Sequence, residues 1–331
     1  MTVRIGVVGV GSLGFHHARI VRELPAVASS GVHDIDFRRL DEVARSLEIS
    51  PYRELEPLLD ASDAVVIAVP TRAHEEVAIR ALEHGCHVLI EKPIAPTLDA
   101  ADRIVAAAKT ADRVVQVGHV ERFNGAIRAA EPYLDHPLFV ESHRLAPFGP
   151  RGTDVAVVLD LMIHDLDLLL SLVRRPTTSV AATGVPVLTP SPDIANARLE
   201  FQGGCVANLT SSRVSMERMR KVRFFQPSGY LSLDLAAGRG EFLRLREGIQ
   251  LEPGGYIQMG SLMDLVDRLE LVGDEREPLR VELEAFAAAV RGEAPVKVSG
   301  EDGRRALRVA LEIVERIETH VSATNTARAK V

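Results

Sequence analysis

The chain has 331 residues, 46% of them hydrophobic and 26% charged, which excludes disorder and at this length points to two domains. A net charge of −7 and a sequence pI near 5.9 leave no basic footprint for nucleic acid or an anionic membrane. Cys86 and Cys205 sit in apolar contexts without metal-ligand spacing, so no metal site is expected, and a reduced, cytoplasmic protein is.

Residues 3–8 (VRIGVV) read as a strand buried on both faces and leave no room for a targeting segment. The strand runs into Gly9-Val10-Gly11-Ser12-Leu13-Gly14 and then a helical pattern through Leu24. In G-x-G-x-x-G the first glycine permits the tight turn, the second lets a pyrophosphate approach the backbone, and the third allows close helix-to-strand packing. Ser12 and Leu13 open the helix, whose free N–H groups face the phosphates. The next strand, residues 28–33, ends at Asp34, twenty residues past Gly14, where a carboxylate bonds the adenine ribose and favours NAD over NADP. Asp36 is the expected cap of the helix from Phe37, and Arg38 and Arg39 are the groups that could hold a 2′-phosphate instead.

A third strand, residues 63–69, stops at Pro70-Thr71, and His74 opens the next helix, either as an ordinary first-turn residue or as part of the nicotinamide site. Helix 74–84, strand 86–90, helix 97–110 and strand 113–118 continue the alternation, which predicts an α/β Rossmann domain with a doubly wound parallel sheet over residues 1–121. Strand 86–90 runs out at Glu91-Lys92-Pro93. The carboxyl ends of parallel strands form the ligand crevice of such sheets, and proline restricts the residue before it to extended backbone. Lys92 is thus either a solvated loop residue or a cation aimed at the site.

Beyond Val120 regular helices disappear. Strand-like pieces at 138–146, 179–187, 194–201, 205–213, 221–227, 229–235 and 241–247 predict a second α/β domain, residues 122–320, with a large, mostly antiparallel open-faced sheet. Helices near 277–291 and 303–320 close the chain, and residues 321–331 read as a frayed tail. Between the first two strands lies an apolar helical segment, residues 154–173, interrupted by Asp160, His164, Asp165 and Asp167 and therefore no membrane span. Asp160, His164 and Asp167 fall at i, i+4 and i+7 on one face. Buried charge of that kind is expensive unless it is paired or faces a cleft. The stripe is either an Asp–His pair stitching two domains or a general base, His164, tuned by flanking carboxylates.

Together, Gly9-x-Gly11-x-x-Gly14, Asp34, Pro70-Thr71-x-x-His74, Glu91-Lys92-Pro93, Arg122-Phe123-Asn124 and Asp160-x-x-x-His164 resemble the Gfo/Idh/MocA family of oxidoreductases, from Val3 to about residue 320. That resemblance implies an NAD-dependent enzyme acting on a sugar or polyol hydroxyl. Lys92 and His164 would be catalytic with Asp160 beside them. Pro70, Thr71, His74 and Glu91 would be among the cofactor contacts, and Arg122 and Asn124 near the substrate. It also implies a cis bond before Pro93 and a homodimer or homotetramer built on the open sheet.

Longer stretches, residues 118–124, 143–148, 151–165 and 204–214, are similar to the branch that oxidises the 3-hydroxyl of UDP-N-acetylglucosamine ahead of an aminotransferase, on the way to a diamino-sugar lipid A. A UDP-sugar needs a diphosphate clamp, for which Arg144, Arg151 and Arg213 are the candidates. The run Arg218, Arg220, Lys221 and Arg223 reads better as a solvated edge. A free-polyol dehydrogenase and a non-catalytic NAD-binding sensor are the alternatives. Lys92, Asp160 and His164 argue against the sensor, which has no use for a base and a cation. Whether His164 or Lys92 is the base stays open.

Overall fold

The computed structural model describes residues 2–149, 155–246 and 265–328, and side chains as far as residue 321. By its contacts the chain divides into two compact units, residues 1–123 with 276–308, and residues 124–275 with 309–331. The first unit therefore takes back the segment 276–308, which the sequence places in the second domain.

In the first unit, β1 (Val3–Val8), β2 (Val27–His33), β3 (Pro51–Tyr52), β4 (Ala64–Ile67), β5 (His87–Glu91) and β6 (Val115–Gly118) form one parallel sheet in the order β3-β2-β1-β4-β5-β6. Helices α1 (Ser12–Glu23), α2 (Phe37–Leu47), α3 (Leu55–Asp60), α4 (His74–Glu83) and α5 (Leu98–Ala111) connect the strands. All four residues of β4 are buried, as are five of the six in β1, the pattern of strands covered on both faces. Winding starts at β1, proceeds through β2 to β3, and resumes on the other side at β4. The switch point, where such sheets bind ligands, thus lies between β1 and β4. Helix α8 (Pro278–Val290) packs Leu283, Phe286 and Ala287 into the same core as Ile20, Val21 and Val27. That burial is why segment 276–308 belongs to this unit. Apolar side chains contribute roughly 1.5–3 kcal/mol each when fully buried.

The second unit is built on an eight-stranded sheet, β14-β13-β12-β11-β7-β10-β9-β8. It comprises β7 (Phe139–Leu145), β8 (Thr177–Val185), β9 (Ile194–Phe201), β10 (Val206–Ser212), β11 (Met219–Gln226), β12 (Gly229–Asp234), β13 (Arg239–Leu245) and β14 (Val266–Val272). Among the described residues only its β7–β10 pair is parallel. Strand β9 alternates strictly, with Ala195, Ala197, Leu199 and Phe201 inward, so one face of the sheet is packed. Helix α6 (Gly125–Ala130) precedes the sheet and α7 (Ile163–Val173) lies between β7 and β8, while α9 (Gly300–Arg328) belongs to the first unit as far as residue 308 and to the second from residue 309. Helix α9 continues past residue 321, where the sequence suggests fraying.

Candidate active site

Dinucleotide binding is prepared at the carboxyl ends of β1 and β2. Gly9 has φ +86°, and a Cβ there would meet the Ala68 carbonyl at 2.7 Å. A Cβ on Gly14 would come within 1.8 Å of the Gly9 carbonyl oxygen, so α1 can press on the turn only because Gly14 has no side chain. Gly11 is different, since a Cβ there would meet nothing within 4 Å. Its place in the motif answers to space outside the protein rather than to packing. Gly11 also caps α1 without a side-chain hydrogen bond, and the first turn, where Ser12 and Leu13 are exposed, carries no acidic residue. The positive end of the helix is thus left for an anion such as a pyrophosphate. These features fit NAD.

Asp34 stands where the sequence expects it. One carboxylate oxygen accepts from Val10 N at 2.7 Å and the other from Asp36 N at 2.9 Å, which fixes the carboxylate and leaves lone pairs for ribose hydroxyls. Asp36 caps α2 by accepting from Arg38 N and Arg39 N. Arg39 Nε donates to the Val10 carbonyl at 2.9 Å, whereas Arg38 is exposed and reaches Glu42 at 3.3 Å.

Pro70, exposed, and Thr71, half-buried, follow β4 in a short 3-10 turn, Thr71–Ala73. His74 is 1% exposed, with its two ring nitrogens each 2.9 Å from a carbonyl oxygen, Nδ1 from Pro93 and Nε2 from Val69. It ties the end of β4 to the segment after β5. Burial pushes its pKa down, partly offset by the Val69 and Pro93 carbonyls and by the charge of Glu91. Lys92, half-buried, follows β5, and the Lys92–Pro93 bond is cis. Glu91 is buried, and its carboxylate meets His17 Nε2 at 2.7 Å and Lys92 N at 3.2 Å. Burial raises the Glu91 carboxyl, but hydrogen bonding and charge from His17, with the charge and N–H of Lys92, bring it net below its ordinary value. Sequence reasoning passed over His17. The signal was present in helical phase, because Gly14, His17, Ala18 and Val21 share the inward face of α1. Arg122, from a 3-10 turn over Val120–Phe123, is nearly buried and 3.8 Å from Asp302.

In the second unit the helix carrying Asp160 and His164 is not regular. Val158–Met162 form a π-helical turn, and α7 starts at Ile163. The extra residue in that turn alters the simple i, i+4 phase between Asp160 and His164, and such turns are frequent at functional sites. Asp160 and His164 are half-buried while Asp167 is 1% exposed, so the three do not form one uniform stripe.

The residues expected to bind substrate have protein partners where they are described. Asn124 is buried, caps α6 through Ala126 N at 3.0 Å and donates to the Leu235 carbonyl at 2.9 Å. Arg144 is 4% exposed and grips Asp165 with both Nε (2.9 Å) and a terminal nitrogen (2.8 Å). Arg213 is 4% exposed and donates to Asp193 at 2.8 Å and to the Val155 carbonyl at 2.8 Å. Asp193 in turn accepts from the backbone N–H groups of Val187, Leu188 and Thr189. These two guanidiniums each hold a buried carboxylate. Arg151 lies outside the described residues.

Among the described residues no cluster of His, Cys, Asp or Glu could hold a metal, and no helix is long and apolar enough to cross a membrane. Burial pushes the Cys86 and Cys205 thiols up to about 11.

Residues 3–119 match the family model described as "Oxidoreductase family, NAD-binding Rossmann fold", and residues 116–231 match "GFO/IDH/MocA C-terminal domain". The chain is 36% identical over 317 residues to UDP-N-acetylglucosamine 3-dehydrogenase of Acidithiobacillus ferrooxidans, covering 96% of this chain and 97% of that one. A solved structure of that enzyme superposes with a TM-score of 0.87 at 34% identity, over 96% of this chain and 98% of the other. A scyllo-inositol 2-dehydrogenase (NAD(+)) of Bacillus subtilis is 29% identical over 232 residues, 64% of this chain and 68% of that one. Scyllo-inositol dehydrogenase of Lactobacillus casei, solved with NAD(H) and scyllo-inositol, shares the fold with a TM-score of 0.77 at 20% identity, over 97% of this chain and 98% of that one.

Proposed function

We propose, for a chain that belongs to the Gfo/Idh/MocA family of NAD-dependent oxidoreductases, that its substrate is UDP-N-acetylglucosamine and that the alcohol it oxidises is the 3-hydroxyl. The observation that carries this reading is the end-to-end similarity to a dehydrogenase of that name, spanning both units at 36% identity.

Oxidising a secondary alcohol removes a proton from oxygen and a hydride from carbon. NAD, when bound, supplies the hydride acceptor. In the proposed scheme His164 accepts the hydroxyl proton with Asp160 beside it, and Lys92 donates a hydrogen bond to the developing alkoxide. The reverse assignment, Lys92 as base, is chemically open to a lysine desolvated near a cation. Of the arginines considered for the diphosphate, Arg144 and Arg213 hold Asp165 and Asp193. The product is a ketone, the class of compound that an aminotransferase takes. A homo-oligomer and a place ahead of such a transamination in a lipid A pathway belong to the same proposal.

Matches to inositol dehydrogenases, which run from 34% identity over 54% of this chain to 24% over 92% of it, favour a free polyol as the second reading. NADH formation over a panel of UDP-sugars, free amino sugars and inositols separates the two. Turnover with UDP-N-acetylglucosamine and not with inositols is expected. Turnover with inositols alone would replace the proposed substrate.

A further inference from the structure

Helix α1 carries two adjacent histidines with opposite fates, His16 exposed and His17 completely buried. Burying an imidazole without a partner is costly, and His17 has found one, since its Nε2 lies 2.7 Å from Glu91 Oε1. An ionised carboxylate only accepts, so Nε2 carries the proton of that bond. The other oxygen of Glu91 accepts from the backbone N–H of Lys92 at 3.2 Å. Both oxygens are therefore committed, one to α1 and one to the main chain of the lysine. Room for the carboxylate comes from Gly118 on β6, where even a Cβ would stand 3.2 Å from Glu91 Oε2.

Fastening α1 to β5 does not by itself call for ions. Two apolar side chains of similar volume would hold the elements at least as well, because a buried pair must overcome its desolvation. What an apolar pair could not do is place a negative charge next to Lys92. We infer that His17 is a positioning residue for Lys92: it fixes the Glu91 carboxylate, which orients the main chain at Lys92 and keeps a negative charge beside it. The inference rests on the role given to Lys92 above.

The direction of the effect follows from opposite charges. Burial alone pushes the Glu91 carboxyl up, yet with His17 and Lys92 in place it falls below its ordinary value and Glu91 stays an anion. An anion that is stabilised by Lys92 stabilises the ammonium in return. Among the described residues, the titratable groups that act on Glu91 include His17 from α1, Lys92 beside it and His74 from α4. Its partner across β6, Gly118, carries no charge, nor does the preceding pair Ile90 and Ile67 across β4.

The test is the pH profile of kcat/KM for NAD and UDP-N-acetylglucosamine in four variants of the full chain. His17→Leu removes the donor, His17→Gln keeps an N–H in reach of the carboxylate, Glu91→Gln keeps the shape without the charge, and Lys92→Ala checks the premise. In His17→Leu and Glu91→Gln the limb belonging to Lys92 should move to lower pH by about one unit, the low end of what a neighbouring charge does. His17→Gln should restore most of the wild-type profile. If His17→Leu does not fold, the shift in Glu91→Gln decides. Wild-type profiles in both, with Lys92→Ala strongly impaired, would overturn this inference and leave the function standing. Full activity in Lys92→Ala would instead overturn the role of Lys92 and this inference with it.

Discussion

Replacing Arg144 tests the buried ion pair that joins β7 to α7. An arginine in this family's second domain, proposed for a nucleotide-sugar substrate, suggests a phosphate contact. The structure buries it against Asp165 in a two-pronged ion pair with both side chains 5% exposed. Arg144→Leu would leave the Asp165 charge buried without that partner, and breaking such a pair costs about 3–5 kcal/mol. Against a total stability of about 5–15 kcal/mol this is a large fraction. At a denaturant slope of ~2 kcal/mol per molar, a ~4 kcal/mol loss moves the urea midpoint of the second unit by about 2 M. Far-UV circular dichroism is the suitable probe, because the chain has no tryptophan. The double change Arg144→Leu with Asp165→Leu removes both charges and should cost less than Arg144→Leu alone, the signature of a coupled pair. A wild-type midpoint in Arg144→Leu, combined with a raised KM for the nucleotide sugar, would refute the structural reading and return Arg144 to the substrate.

Three further outcomes are expected. His164→Ala should lower kcat by roughly 10²–10⁴-fold, the usual worth of a positioned proton acceptor, while the Kd of NAD measured by calorimetry stays within about twofold. Asp34→Ser should raise the KM of NAD by roughly tenfold, since a hydrogen bond to a charged group is worth about 1.5 kcal/mol or more, and should narrow the preference over NADP by removing a carboxylate that would repel the 2′-phosphate. For Asp193, burial opposes ionisation, but Arg213 and the Val187, Leu188 and Thr189 N–H groups hold its carboxyl well below the usual carboxylate range. A depressed folded-state pKa stabilises above the unfolded value, near 3.9, and the contribution disappears as pH falls below it. Urea titrations should thus show a shallower acid-side loss of stability in Asp193→Asn than in the wild type, from a lower starting stability.

The first sheet was legible because β1, β4 and β5 are short apolar runs punctuated by glycine, proline and charge. Strand β3 had no pattern to show, and α3 shows Leu55, Leu58 and Leu59 at helical spacing over six residues only, shorter than a sequence pattern can be trusted to mark. Pro51 and Tyr52 are a strand only because they pair with Val32 and His33, a tertiary fact. β14 escaped for a related reason, since five of its seven residues are exposed on an edge strand and the hydrophobic alternation is lost. The glycine turn after β1 and the carboxylate at the end of β2 were readable because their spacing is local. Ion pairs joining positions 20 or 21 apart, such as Arg213–Asp193 and Arg144–Asp165, are invisible to any local pattern. Arg144 did leave one trace, because it shares the buried phase of β7 with Val140 and Ser142. A charged residue on that phase marks a buried partner, and the same logic applied to α1 points to His17.

Oxidation is assigned to one carbon of one sugar. UDP-N-acetylglucosamine carrying deuterium at C3, incubated with the enzyme and NAD, puts it to the most direct test, with both products read by mass spectrometry. Deuterium should leave the sugar and appear in the reduced dinucleotide, with a slowed rate if hydride transfer limits turnover. Reduced dinucleotide free of deuterium, formed alongside a sugar product that keeps its label at C3, would contradict the assignment.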